Sequence, residues 1–360
     1  MAKHWQTEIL TTRALDYMTW ANFYPEGVEQ AGAALIRRFS VDQEREVASF
    51  NRLSSIMHGR QSEATLTEQE DWMRAQGPIS TPLFDYLRAH RNSYDAFIFF
   101  GYLYATTYFG LQLVRDKAFL APLAHDEWPI YFPMWERFFS LPKRMIFNSA
   151  AERDFLRKRF LSLTLSGPVV GVGIEAPKRT DIANFKSRYD LNVPFLLYVG
   201  RVDASKGCAV MFEYFARWKA ERDAPHKLVL LGKDIMPVPF HDDIIHLGFV
   251  DDAQKWGAMA ACDWLLMPSP HESLSMVVLE TWSVGRPALV NGACAVLVRH
   301  CRESHGGLWY NTFDEWKAAL DIVDKETRDI LGRQGMAYVQ QRYSWDRVET
   351  NYLDLLESVN

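Results

Sequence analysis

The chain has 360 residues, 48% of them hydrophobic and 24% charged, with a net charge of −5 at pH 7. That length is more than one typical core serves and suits two domains, while the acidic balance excludes a general nucleic-acid binder. Four cysteines, Cys208, Cys262, Cys294 and Cys301, show no C-x-x-C spacing and predict free thiols in a reducing cytosol; no apolar run near Met1 makes a signal peptide.

Residues 6–12 alternate and predict a strand, followed by a loop rich in aromatic and polar residues from Asp16 to Trp20 and on to Gly27. A second strand is expected at 34–41, then helices at 44–58, 67–75 and 81–90, the last with Pro82 in its first turn. The stretch 96–114 carries no charge and is long enough for a membrane span, but its glycines, threonines and tyrosines fit a strand at 96–100, a turn and a helix to about 117. Strands at 119–124 and 143–149 follow, the first ending in His125-Asp126-Glu127 and the second at Ser149, which caps a helix over 150–159. Strands alternating with helices argue for a parallel, doubly wound sheet. Residues 176–194, with Pro177, Pro194 and many charges, are the expected linker.

Beyond it the alternation is cleaner. Strands are predicted at 195–199, 227–231, 244–247, 263–267 and 287–291, with helices at 209–222, 312–323, 325–343 and a last one after Trp345. Two loops of this half carry the chemistry. Gly200-Arg201-Val-Asp-Ala-Ser-Lys206-Gly207 follows a strand and opens a helix, so two cations and free backbone N–H groups make a site for a diphosphate. Glu272-Ser273-Leu274-Ser275 precedes a helix from about Met276 that carries Glu280 and stops at Gly285 and Pro287, with Ser275 as the predicted N-cap. Carboxylates near the positive end of a helix can accept hydrogen bonds from ligand hydroxyls.

The Glu-x7-Glu spacing with Gly-x-Pro, preceded by the Gly-Arg…Lys-Gly loop, resembles the donor site of retaining glycosyltransferases of family 4. That resemblance implies an α/β chain of the GT-B fold, two Rossmann-like doubly wound domains facing a cleft. The N-terminal acceptor-side domain would span 1–190, joined by a crossing helix at 345–360, and the donor-binding domain 191–344. Arg201 and Lys206 would bind the diphosphate beside Gly200, Glu272 the transferred sugar with Ser273, Leu274 and Ser275, and Glu280 the ribose. Val250, in a Gly-Phe-Val segment, would contact the base through its backbone, and His125 would stand near the transferred sugar. Members often have Glu-Gly-Phe-Gly where this chain has Glu272-Ser273-Leu274-Ser275, which leaves the sugar and pocket size open. They also open with a strand and a Gly-rich turn; here the first strand matches their second, so the N-terminal domain is expected to lack its first, central strand and the chain to be truncated or filled in from elsewhere.

The implied function is a glycosyltransferase of the EC 2.4 class, moving a sugar from a nucleotide diphospho-sugar to a glycan or lipid-linked acceptor, with retention, in polysaccharide or envelope glycan synthesis. No metal or other cofactor is expected, and no nucleic-acid partner. The expected location is the cytoplasm, with peripheral attachment to the inner face of the membrane as a further option. Two alternatives stand beside it: an inactive donor-binding subunit supporting a partner transferase, and a GT-B sugar-nucleotide epimerase.

Overall fold

The computed structural model describes residues 2–357, which divide into two compact units, 2–170 with 349–357, and Gly171–Val348. In the first unit β1 (Glu8–Thr12) runs parallel to β3 (Ala34–Phe39), and β2 (Gly27–Ala31) pairs with β3 as an antiparallel hairpin. Helices α1 (Val47–Met57), α2 (Leu66–Gln76) and α3 (Thr81–His90) follow. Glu46 caps α1 through the N–H groups of Ala48 and Ser49, which starts that helix later than the predicted residue 44. Thr65 and Glu68 form a capping box on α2.

A second, all-parallel sheet holds β4 (Phe97–Phe100), β5 (Ala118–Ala121) and β6 (Arg144–Met145), in that order. Helix α4 (Ala105–Leu113) connects the first two strands, and α5 (Met134–Phe139) precedes β6. Helix α6 (Ala150–Arg159) starts where the Ser149 hydroxyl accepts from the Glu152 N–H. The predicted strand at 143–149 is thus cut to two residues, although Phe147 still makes an isolated parallel bridge to Val169.

The first unit therefore has two three-stranded sheets, with β1 and β4 at their edges and no ladder joining the two among the described residues. Phe39, Leu83, Leu87, Phe97 and Val114 form a core against which Leu10 packs, so both sheets share apolar contacts. A larger core around Trp72, Phe132, Trp135 and Phe138 fills the rest. No helix is long and apolar enough to cross a membrane among the described residues.

The second unit begins before the expected linker. Helix α7 (Ile182–Arg188) lies inside 176–194, and its Phe185 is fully buried beside the next helix layer, so the boundary falls at Val170 and Gly171 instead. The unit's sheet is built from β7 (Phe195–Val199), β8 (Lys227–Leu231), β9 (Ile244–His246), β10 (Trp264–Met267), β11 (Ala288–Asn291) and β12 (Gly307–Tyr310). Helix α8 (Cys208–Glu221) follows β7, α9 (Asp252–Ala261) follows β9, α10 (Met276–Ser283) follows β10, and α11 (Ala295–Ser304) follows β11. Helices α12 (Phe313–Ile322), α13 (Lys325–Arg342) and α14 (Trp345–Glu357) complete the chain.

All six strands are parallel, in the order β12-β11-β10-β7-β8-β9, one strand more than the sequence predicts. Strand order reverses direction between β7 and β10. In an open α/β sheet a crevice opens at such a point, outside the carboxyl ends of the strands. All four cysteines are buried free thiols.

Candidate donor site in the second unit

The two loops singled out from the sequence leave the sheet at that reversal, one after β7 and the other after β10. They touch at Gly207, whose φ of +76° is left-handed and whose missing side chain makes room: a Cβ would stand 2.3 Å from the Pro268 carbonyl oxygen. Asn291, at the end of β11, donates to the same oxygen at 2.7 Å and fixes its position. Across this contact Lys206 Nζ reaches Glu272 Oε1 at 2.8 Å, with both side chains mostly buried. Arg201 Nε lies 3.0 Å from Asp203 Oδ2, and the Tyr198 hydroxyl donates to the Arg201 carbonyl at 2.7 Å. Desolvation works against Asp203, but the Ser205 N–H and the Arg201 guanidinium outweigh it and hold its carboxyl below the ordinary range.

Glu280 stands on α10 and accepts from Lys255 Nζ on α9 at 3.1 Å. The structure thus brings Arg201, Lys206, Glu272 and the start of α10 to one strand edge, and gives each of these charged groups an opposite charge within reach. Unpaired cations in water-poor surroundings are costly, and these pairs offset part of that cost.

Ser275 holds the N-cap position of α10, as predicted, but its side chain makes no capping bond. It adopts φ 63° and ψ 72°, the left-handed region, and its buried hydroxyl has no hydrogen-bond partner among the described residues. The strained backbone turns the Glu272–Ser275 segment into the helix, leaving the first N–H groups of α10 without a side-chain cap. Leu274 is buried, and its carbonyl receives a hydrogen bond from His300 Nε2 at 3.0 Å. Since that carbonyl only accepts, His300 Nε2 carries the proton, and Nδ1 accepts from the Tyr338 hydroxyl at 3.0 Å. Burial pushes the His300 imidazole down to about 4, so the neutral ring is a fixed strut under the loop. Ser273 is half-buried between Glu272 and Leu274.

Gly248, Phe249 and Val250 follow β9 on the same edge; the Gly248 carbonyl accepts from the Gly232 N–H at 2.7 Å, and the Phe249 ring is exposed. Gly200 continues the β7–β8 ladder by donating to the Leu231 carbonyl at 2.8 Å. His125 belongs to the first unit, beyond β5, with Nε2 3.8 Å from Glu127 Oε1. The sequence reading missed Lys255 and His300: neither sits in a motif, and only the packing of α9 and α11 brings them to the site. Asp203 lay inside the quoted loop, where a carboxylate two residues from Arg201 was a readable signal.

Residues 193–323 match the family model described as glycosyl transferases group 1, the stretch that holds both loops. A D-inositol 3-phosphate glycosyltransferase of Arthrobacter sp. (strain FB24) is 25% identical over 224 residues, 57% of this chain and 53% of that protein. The lipopolysaccharide core biosynthesis glycosyltransferase LpsE of Rhizobium meliloti (strain 1021) is 28% identical over 182 residues, 46% of this chain and 51% of that protein. The chain spans about half the length of these curated relatives.

Among solved structures, the sucrose-phosphate synthase of Thermosynechococcus elongatus superposes with a TM-score of 0.74 at 15% identity, covering 99% of this chain and 90% of that one. The Anabaena protein HepE, solved in complex with UDP-glucose, gives a TM-score of 0.62 at 14% identity over 98% and 99% of the two chains. The fold is that of the GT-B glycosyltransferases.

Proposed function

We propose that the chain is a glycosyltransferase that takes its sugar from a nucleotide diphospho-sugar bound at the second unit's strand edge. The observation that carries this reading is the Lys206–Glu272 ion pair, which joins a phosphate-type loop to a sugar-type loop at the topological switch point. Arg201 and Lys206 meet the diphosphate, exchanging Asp203 and Glu272 for phosphate oxygens. Glu272, released from Lys206, accepts from hydroxyls of the transferred sugar. Glu280 takes the ribose hydroxyls, and the backbone after Gly248 takes the base at Val250.

In the transfer step the bond between the anomeric carbon and the diphosphate oxygen breaks, and its electron pair leaves with the diphosphate. The acceptor oxygen bonds to that carbon, and its hydroxyl proton passes to the departing diphosphate oxygen. As the first bond breaks, negative charge grows on the diphosphate, where Arg201, Lys206 and the uncapped N–H groups of α10 are preorganised to meet it. Retention of the anomeric configuration, family 4 membership, a role in polysaccharide or envelope glycan synthesis, and a cytoplasmic location with peripheral membrane attachment belong to the same proposal, supported by the motif spacing and by the named relatives.

Calorimetry with a panel of nucleoside diphosphates and their sugars tests it. Arg201→Ala and Lys206→Ala should each weaken diphosphate binding and slow transfer by on the order of 10²-fold or more. Glu280→Gln should weaken nucleoside diphosphate binding, whereas Glu272→Gln should spare it and hurt sugar turnover. Unchanged diphosphate affinity in both cation variants would remove the assignment. Binding without transfer to any acceptor would favour a donor-binding subunit instead.

A further inference from the structure

The loops after β1, β3, β4 and β5 in the first unit converge on a second cluster. Trp20, in the loop after β1, is buried with φ 60° and donates from Nε1 to the Gln76 carbonyl at 2.7 Å. Its ring meets that of Tyr104, from the loop after β4, edge-on at 5.8 Å, and that of Tyr17 at 6.5 Å. Arg45, in the segment after β3, lays its guanidinium 4.9 Å from the centre of the Trp20 ring and 4.7 Å from that of Phe50. Beyond β5, Glu127 Oε1 accepts from the buried Tyr102 hydroxyl at 2.9 Å and stands beside His125.

Arg45 is the unusual member. Its Nε donates to the Gln76 carbonyl at 3.0 Å and its Nη2 donates to the same oxygen, so two of its five N–H groups go to one neutral acceptor. Among the described residues no carboxylate stands within ion-pair distance of it. Asp16 acts on it only from a distance, its oxygens accepting from the Met18 and Thr19 N–H groups and the Thr19 hydroxyl. Burial lowers the guanidinium to about 10, which still leaves it charged at neutral pH. A half-buried cation held on aromatic faces, with fork positions to spare, is short of an anion. Glu127 makes no ion pair with it, and burial pushes the Glu127 carboxyl up to about 7. Tyr104 lies in the field of both Arg45 and Glu127 and is 37% exposed, giving the cluster an aromatic wall that a ligand can reach.

We propose that these four loops form an acceptor site in which Arg45 grips an anionic group, phosphate or carboxylate, on a sugar that lies against Tyr104 and Tyr17. The assignment rests on the glycosyltransferase reading, since it names the class of acceptor. Sugar rings present apolar C–H faces that aromatic rings cover, and Arg takes a planar or tetrahedral anion through paired N–H donors.

The test is calorimetry on the full chain in an Arg201→Ala/Lys206→Ala background, so that phosphate binding at the donor loops is suppressed. Glucose 6-phosphate, glucuronate, glucose, inorganic phosphate and acetate are the probes. At least one of the anions should bind, glucose 6-phosphate or glucuronate at least tenfold more tightly than glucose, and the ratio of those two separates a phosphate from a carboxylate preference. Arg45→Gln should remove the advantage of the charged sugar. Arg45→Lys keeps the charge and the stem over Trp20 and Phe50 but loses the fork, and severalfold weaker binding is expected; it decides the case if the glutamine variant does not fold. No heat with any anion, glucose binding as tightly as the charged sugars, or wild-type affinity in the Arg45 variants would overturn the proposal. Nucleoside diphosphate binding by the otherwise wild-type chain is measured alongside: its loss would count against the donor assignment, while its persistence with a failed acceptor arm would count against Arg45 alone.

Discussion

His300 shows how a single side chain can set a site without touching a ligand. It is buried, donates to the Leu274 carbonyl and accepts from Tyr338, so protonation turns the acceptor nitrogen into a donor facing that hydroxyl and puts a charge where burial and the nearby Arg299 and Arg342 disfavour it. Its folded pKa of about 4 lies below the ordinary 6.5, because burial disfavours the imidazolium. Between those values the unfolded chain binds more protons than the folded one, so stability rises with pH across that window. The contribution is fully present above about 6.5 and is lost as pH falls through 4, on the order of 3 kcal/mol in all. A His300→Gln variant should therefore be less stable than wild type at pH 7. By pH 4.5 most of that gap in urea unfolding free energy should be gone; a gap independent of pH would mean that His300 is not the neutral strut the hydrogen bonds indicate. Nothing in the sequence marks His300 out, whereas Arg201, Lys206, Glu272 and Glu280 stood out because their spacing follows a strand–loop–helix pattern, and struts are tied only to packing.

At the scale of elements the second unit was legible nearly strand by strand. Phe195-Leu-Leu-Tyr-Val199 and Trp264-Leu-Leu-Met267 are apolar runs buried on both faces, which periodicity and length alone identify. The strand β2 was not readable: Gly-Val-Glu-Gln-Ala is exposed along its whole length and has no buried face to leave a pattern. Strand β12 was missed because Gly307-Leu-Trp-Tyr310 is buried only at its two ends and opens with a glycine, unlike the fully buried β10. The charged stretch taken for a linker hides α7, which one buried ring, Phe185, anchors. The two loops that meet at Gly207 and Pro268 can be tested as elements. Gly207→Ala would drive a methyl into the Pro268 carbonyl in a left-handed backbone, so the loops must part; a loss of about 1–3 kcal/mol in stability is expected, with at least tenfold weaker diphosphate binding. Ser275→Gly should act the opposite way. It relieves a left-handed non-glycine residue and deletes a buried hydroxyl without a partner, for a gain of about 1 kcal/mol. Thermal and urea unfolding of the two variants give the signs, and like signs would contradict the loop geometry.

For the molecule as a whole, the two units satisfy their strand edges differently. In the second unit β7 and β10 lie in the middle of a six-stranded sheet, paired on both sides. Among the described residues of the first unit only β3 and β5 are paired on both sides, and β1, β2, β4 and β6 are edges, each with one neighbour. The two sheets are separate and share apolar contacts, Leu10 of β1 packing against the cluster that holds Phe97 of β4. Phe100, at the end of β4, is 54% exposed, and Ile9 on β1 is 46% exposed, so apolar side chains stand at both edges. Edge strands present unpaired N–H and C=O groups that water or another chain must satisfy. Amide hydrogen exchange distinguishes these cases, because protection follows local opening and access to unpaired groups. The amides of β7 and β10 should be protected most, those of β3 and β5 next, and alternate amides of β1 and β4 should exchange far faster than their neighbours. At low protein concentration that order should hold. If protection in β1 and β4 climbs as concentration rises, while β7 and β10 stay constant, copies of the chain are pairing at those edges; equal protection of β1, β3, β4 and β5 at every concentration would mean that the two sheets are not separate.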